Sequence, residues 1–224
     1  MLHRLALVPL APLLVVQGRR VRRVTPRLPE APGERAGVAG SGPPLRLLVV
    51  GDSAAAGVGA ASQTEALTGR TVAALADRHT VHWTLVARAE LSTRPLPPAD
   101  VVVTSIGVND VTSLRTPRAW LADVAALVRM LRDRTGARRV LLSGLPPMHR
   151  FPALPQPLRW QLGAVARELD RALARWAPGV DGCEHVPVAF TIDPAHMAAD
   201  GFHPGPPVYA AWGAEIARRI VGDG

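Results

Sequence analysis

The chain has no lysine; every side-chain ammonium or guanidinium charge is arginine. That bias reads as a habit of GC-rich coding and not as a nucleic-acid signature. Cysteine is nearly absent: Cys183 stands alone, which excludes an internal disulfide and any cysteine-based metal cluster. Nothing beside Cys183 suggests an activated thiolate, so it reads as a small buried filler. His3, His79, His82 and His185 show no ligand spacing, so no metal is expected. No apolar run is long enough for a comfortable bilayer span. The longest, Leu5 to Val16, is about a dozen residues and is broken by Pro9 and Pro12.

The charge is uneven. Of the net +8, residues 1–40 carry +5, from seven Arg against two Glu. The rest is only mildly basic and lacks an aromatic-interleaved arginine stripe, so no nucleic-acid partner is expected. Residues 1–23 pair an apolar segment with Arg19-Arg20-Val21-Arg22-Arg23. A membrane-surface anchor, a signal peptide without a good cleavage site and a soluble arm all fit this pattern. The expected location is therefore membrane-associated or exported, of bacterial type. Residues 24–44, rich in Pro and Gly, read as a linker.

Residues 45–224 form the folded domain, one of ordinary size. Leu47-Leu48-Val49-Val50 reads as a strand buried on both faces, ending in Gly51-Asp52-Ser53 and a run of small residues before a helical pattern. Further strands are expected near 81–87, 101–106, 140–143 and 184–189, with helices between them, the first from about Thr64 to Arg78. Pro117 opens a helix with an apolar stripe at Trp120, Val124, Leu127, Val128 and Leu131, which Gly136 ends. Such alternation implies an α/β fold with a mostly parallel five-stranded sheet and helices on both faces. Sites in such folds lie beyond the carboxyl ends of the strands.

Three short blocks sit at those ends. Ser53 occupies a strand-to-helix turn, where helix N–H groups favour an oxyanion, although a lone serine there is ordinarily an N-cap. Gly107-Val108-Asn109-Asp110 follows the strand near 101–106, and Asn109 can turn its amide toward that hydroxyl or simply close an Asx turn. In Asp200-Gly201-Phe202-His203 a carboxylate can hold one imidazole nitrogen and leave the other to accept a proton. Asp193-Pro194-Ala195-His196 repeats the spacing, but Gly201 and Pro204 favour the later pair. The three blocks in this order outweigh the ordinary reading of each.

The combination resembles the SGNH (GDSL-type) hydrolase superfamily over about residues 45–221. The resemblance implies a three-layer, flavodoxin-like sandwich and cofactor-free hydrolysis of esters, thioesters or acetylated sugars. It makes Ser53 the nucleophile, His203 the base, Asp200 its orienting partner, and Asn109 with the Ser53 N–H oxyanion donors. The family's second-block glycine is missing from Val86–Ser92; Glu90 falls at its position, so its N–H is carried over to the oxyanion hole. A glutamate turned inward there would repel an oxyanion.

In the proline-rich loop 144–157, Met148 and Phe151 are apolar where solvent is expected, and are read as substrate-pocket wall. The expected function is a serine hydrolase of carboxylic esters, whether short acyl, acetyl-sugar or lipid ester, acting through an acyl-enzyme. The alternative is a catalytically weak SGNH-fold protein that binds or remodels at a membrane. A nucleotide-binding flavodoxin-like domain fits less well, because alanines follow Ser53 where a phosphate loop needs hydroxyls and amides.

Overall fold

The computed structural model describes residues 2–5, 7–87, 90–91, 95–188 and 193–222. After two N-terminal helices, α1 (Leu2–Leu5) and α2 (Leu7–Val24), strands and helices alternate. They run β1 (Ala36–Ala39), β2 (Pro44–Gly51), α3 (Leu67–Leu75), β3 (Thr80–Ala87) and β4 (Val101–Ser105). Then come α4 (Val108–Thr112), α5 (Pro117–Thr135), β5 (Arg139–Ser143), α6 (Leu158–Trp176), β6 (Cys183–Val186) and α7 (Pro206–Val221).

The sheet order is β1-β3-β2-β4-β5-β6, and every pairing is parallel except β1 with β3. The five parallel strands thus have the flavodoxin-like order, whose switch point lies between β2 and β4. The sheet has six strands, not the expected five. The extra one, β1, falls in the stretch read as a linker and pairs antiparallel with β3 on the sheet edge, Ala36 opposite Thr84 and Ala39 opposite Val81. Its short Ala-Gly-Val-Ala sequence is mostly exposed, so no hydrophobic pattern announced it.

Alternate residues of the buried strands face opposite layers. Leu48, Val50, Val102 and Leu142 pack with Trp120 and Leu131 of α5 and Leu162 and Leu169 of α6. Leu47, Val49, Val103 and Leu141 pack with Leu67 and Leu75 of α3 and Trp212 and Ile216 of α7. Helix α5 carries the end signals expected of it. Thr116 accepts from the Ala119 N–H at 3.3 Å, Pro117 opens the helix, and Gly136 closes it with φ 72°.

Helix α2 lies against α6. Leu14 is buried, Arg4 forms an ion pair with Glu168 at 2.9 Å, and Gln17 bridges the start of α6. Its Nε2 donates to the Gln156 carbonyl at 2.7 Å, and its Oε1 accepts from the Leu158 N–H at 3.1 Å. Leu5, Val8 and Val16 stay exposed. Among the described residues, no helix is long and apolar enough to cross a membrane.

Gly51 ends β2 where the backbone of β4 comes closest. A Cβ added there would stand 2.4 Å from the Ser105 carbonyl oxygen and 2.6 Å from Ala55 Cβ. Gly51→Ala must therefore separate the two strands that carry the site. The expected cost is about 1–3 kcal/mol, read as a lower urea midpoint at unchanged slope.

Candidate active site

Ser53 lies two residues past the end of β2, and its segment is held between neighbours. The Asp52 N–H donates to the Ser105 carbonyl at 3.0 Å, the Ala56 N–H to the Asp52 carbonyl at 3.0 Å, and the Val58 N–H to the Ser53 carbonyl at 3.0 Å. The residues after Ser53 form consecutive turns, and a regular helix begins only at Leu67. Gly57, at φ 81°, turns the chain out of helical geometry, so the serine sits on a single turn and not at the head of a long helix. Tyr209, fully buried in α7, anchors that turn by donating its hydroxyl to the Val58 carbonyl at 2.7 Å. Burial pushes the Tyr209 phenol up, helped by the nearby Asp52 and Asp200 carboxylates, so the hydroxyl stays a donor.

The C-terminal block arrives over the same end of the sheet. Met197 and Pro204 pair across its base, and the Ala198 N–H donates to the His203 carbonyl at 2.9 Å. Gly201 takes φ 64°, the tight turn expected of it. Within the turn Asp200 Oδ1 accepts from the Phe202 and His203 N–H groups, both at 2.9 Å. With Nδ1 protonated, His203 donates to Asp200 Oδ2 at 2.5 Å, and its Nε2 accepts from Ser53 Oγ at 3.0 Å. The Asp200 carboxylate has no solvent exposure, whereas the imidazole is 21 % exposed. A ring held this way can remove the hydroxyl proton, and the fixed carboxylate stabilises the cation that results.

Burial pushes the Asp200 carboxyl up. The hydrogen bonds from the His203 ring and from the two backbone N–H groups outweigh that, so its pKa falls below the ordinary 3.8.

A small apolar cavity of about 50 Å³ opens beside Ser53 and His203, walled by Ile106, Val108, Phe151, Met197 and Phe202 among others. The Phe202 ring meets Phe151 edge-on at 5.3 Å and His203 at 5.5 Å. Phe202 was missed as a wall residue, although it lies inside the Asp200–His203 block itself. Phe151 lines the cavity and Met148 does not. Met148 is fully buried beneath the short 3₁₀ turn at 148–150, packed into the α5/α6 core.

Asn109 is exposed at the start of α4 and lines a neighbouring groove between α2, α4 and α6. Glu90 turns its carboxylate to Arg35, which donates from Nη1 at 3.3 Å, and it is not among the residues around the small cavity. Its neighbours Arg88, Ala89 and Ser92 lie outside the described residues. Asp193 and His196 are both exposed. Asp193 accepts from the Ala195 N–H at 2.9 Å and caps a short turn, and neither Asp193 nor His196 lines the cavity at Ser53. Cys183 is half-buried, and burial raises its thiol pKa. Among the described residues no cluster of His, Cys, Asp and Glu could hold a metal.

A family model described as the GDSL-like Lipase/Acylhydrolase family matches residues 49–211. The chain belongs to this family. It is accordingly an enzyme of the carboxylic ester hydrolase class. A GDSL-like esterase of Mycobacterium tuberculosis is 30% identical over 88% of this chain and 72% of its own length. Among solved structures, a phospholipase A1 from Streptomyces albidoflavus is similar with a TM-score of 0.60 and 16% identity. That match covers 80% of this chain and 100% of the other. A carbohydrate acetylesterase from Sinorhizobium meliloti gives a TM-score of 0.56 and 21% identity, covering 79% of this chain and 98% of the other. Likeness at that identity speaks for the fold alone.

Asp200 gives a pH test whose sign follows from its lowered pKa. A carboxylate with a depressed folded pKa contributes stability that is complete above its ordinary value and is lost as pH falls through the folded value. The stability gap between wild type and Asp200→Asn should be flat above about pH 5 and shrink below the ordinary value of 3.8. Urea unfolding across that pH range checks it; a gap that grows toward acid contradicts it.

Proposed function

We propose that this GDSL-family enzyme hydrolyses carboxylic esters of short acyl groups through an acyl-enzyme on Ser53. The observation that carries this reading is the hydrogen-bonded chain from Asp200 through His203 to Ser53. His203 Nε2 takes the Ser53 proton as Oγ bonds to the ester carbonyl carbon. The negative charge on the carbonyl oxygen is met by the Ser53 N–H, the Asn109 amide and the N–H at Glu90. Among the described residues, no backbone carbonyl takes the Ser53 N–H. The carbon–oxygen bond to the alcohol then breaks, and the leaving alkoxide takes the proton from His203. Water, deprotonated by His203, attacks the acyl-enzyme; the acid leaves and Ser53 regains its proton.

The size of the cavity favours short acyl groups. The cavity, about 50 Å³, is narrow and closed on its apolar side by Phe151 and Phe202, which leaves little length for an acyl chain. Acetyl-sugar and short lipid esters both meet that limit. The Glu90 carboxylate, paired with Arg35, is not turned to the oxyanion, which supports turnover over the weakly catalytic binding protein. Contact of residues 1–23 with an anionic membrane surface belongs to the same proposal. Exposed Leu5, Val8 and Val16 with Arg20 and Arg23 on α2 support it. Cosedimentation with anionic vesicles should be lost in Arg20→Gln/Arg23→Gln, and binding equal to neutral vesicles contradicts it.

With p-nitrophenyl esters, acetate to butyrate should outrun octanoate. Ser53→Ala and His203→Ala should each lower kcat by about 10⁴-fold or more, while His196→Ala keeps wild-type rates. Phe151→Ala should move the optimum to longer chains. Full activity in Ser53→Ala, or an unchanged chain-length profile in Phe151→Ala, contradicts the respective assignment.

A further inference from the structure

The small cavity has room for one side of an ester, and a second space lies next to it. A groove of about 500 Å³ runs between α2 and the body of the domain, a volume typical of ligand sites. Phe202 walls both spaces, its ring stands 5.5 Å from that of His203, and Asn109 of α4 borders the groove, so one aromatic ring separates the groove from the catalytic cavity. Its sides are apolar, formed by Leu14 and Val21 of α2 and Leu158 and Leu162 of α6.

Two features are foreign to a plain apolar groove. Gln161 shares the face of α6 with Leu158 and Leu162, lines the groove and is 1 % exposed. Neither its Nε2 nor its Oε1 has a hydrogen-bond partner. A buried amide left unpaired loses its hydrogen bonds to water with nothing in return, so a group that both donates and accepts has a vacancy to fill there. Arg19 and Arg22 of α2 also line the groove; both are exposed, and neither is ion-paired among the described residues. The described lining contains no acidic side chain to neutralise them. The helix that brings them is fastened at the start of α6 through Gln17, and the preceding α1 is tied to α6 through Arg4.

We propose that this groove is the subsite for the alcohol part of the substrate, and that it selects an ester whose alcohol bears a hydroxyl and an anionic, phosphate-like group. The hydroxyl meets the Gln161 amide, the anion meets Arg19 and Arg22, and the short acyl group enters the cavity beside Ser53. Helix α2 is then part of the substrate site. This subsite rests on the assignment of Ser53 and His203 given above.

The test compares monobutyrylglycerol with its 3-phosphate, using p-nitrophenyl butyrate as a reference for the catalytic centre. The full chain should favour the phosphate ester by about tenfold in kcat/KM, carried by KM, as expected for charge-assisted contacts at an exposed rim. Arg19→Gln/Arg22→Gln should bring the two esters to parity. Arg129→Gln, an exposed arginine of α5 that does not line the groove, should keep the preference and thereby exclude a general loss of positive charge. Gln161→Leu should raise KM for both glycerol esters and leave their ratio in place, because both carry the hydroxyl. In a binding experiment without turnover, glycerol 3-phosphate should bind Ser53→Ala and lose affinity when Arg19 and Arg22 are also replaced.

Hydrolysis of p-nitrophenyl butyrate with no preference between the glycerol esters overturns the subsite and leaves the Ser53 assignment standing. No hydrolysis of any ester by the folded wild type overturns both. If the phosphate preference is absent and the Arg19/Arg22 variant loses binding to anionic vesicles, those arginines serve a lipid surface and the subsite is overturned. Preference for the soluble phosphate ester in the absence of vesicles supports a soluble phosphorylated alcohol. A preference that appears only when the ester is presented in vesicles supports a lipid headgroup as the source of the same chemistry.

Discussion

The hydrogen bond from Ser53 Oγ to His203 Nε2 joins residues 150 apart in sequence, and the arrangement of the domain serves to hold it at 3.0 Å. Ser53 is fixed by β2 and by the Asp52–Ser105 backbone bond that ties its turn to β4. His203 is fixed by a turn whose carboxylate accepts from two backbone N–H groups and from the ring itself. The two halves are locked beneath by the packing of α3 against α7 and by the hydroxyl of Tyr209, which reaches from α7 to the Val58 carbonyl. Movement of α7 would move both residues at once, so the geometry is a property of the layer and not of either loop.

Val208 and Trp212 of α7 line the cavity at that bond, and on the other face of the sheet α6 lines the neighbouring groove with Leu158, Gln161 and Leu162. Phe151 and Phe202 meet edge-on and wall a cavity small enough to limit the acyl group. At the end of β5, Asp170 Oδ1 accepts from the Leu145 N–H at 3.0 Å and pairs with His185 Nε2 at 2.9 Å, which holds the start of the proline-rich loop. Helix α2 adds a wall that the parallel sheet alone does not supply, and this gives the N-terminal segment a place in the architecture.

Much of the site was legible because its chemistry fixes residue types at short spacing. Gly51-Asp52-Ser53 needs a glycine where β2 nears β4, and Asp200-Gly201-Phe202-His203 needs a left-handed residue between acid and base. The five parallel strands were legible as aliphatic runs, since both their faces are buried. Strand β1 was not, because an exposed edge of four small residues has no pattern to read. Met148 and Phe151 look alike in sequence, and only the 3₁₀ turn that buries one and turns the other to the cavity separates them. The pairing of Glu90 with Arg35 depends on a residue 55 positions away. Gln161 left a trace that went unread: a polar residue interrupting the apolar stripe of α6 between Leu158 and Leu162.

The central claim is that Ser53 is an activated nucleophile. Incubation of the full chain with a fluorophosphonate, followed by mass spectrometry of the peptides, tests it most directly, because only an activated serine reacts at a useful rate. The account predicts a single adduct on Ser53, abolished in His203→Ala and retained in His196→Ala. A folded protein that takes no adduct, or takes it on another residue, would contradict it.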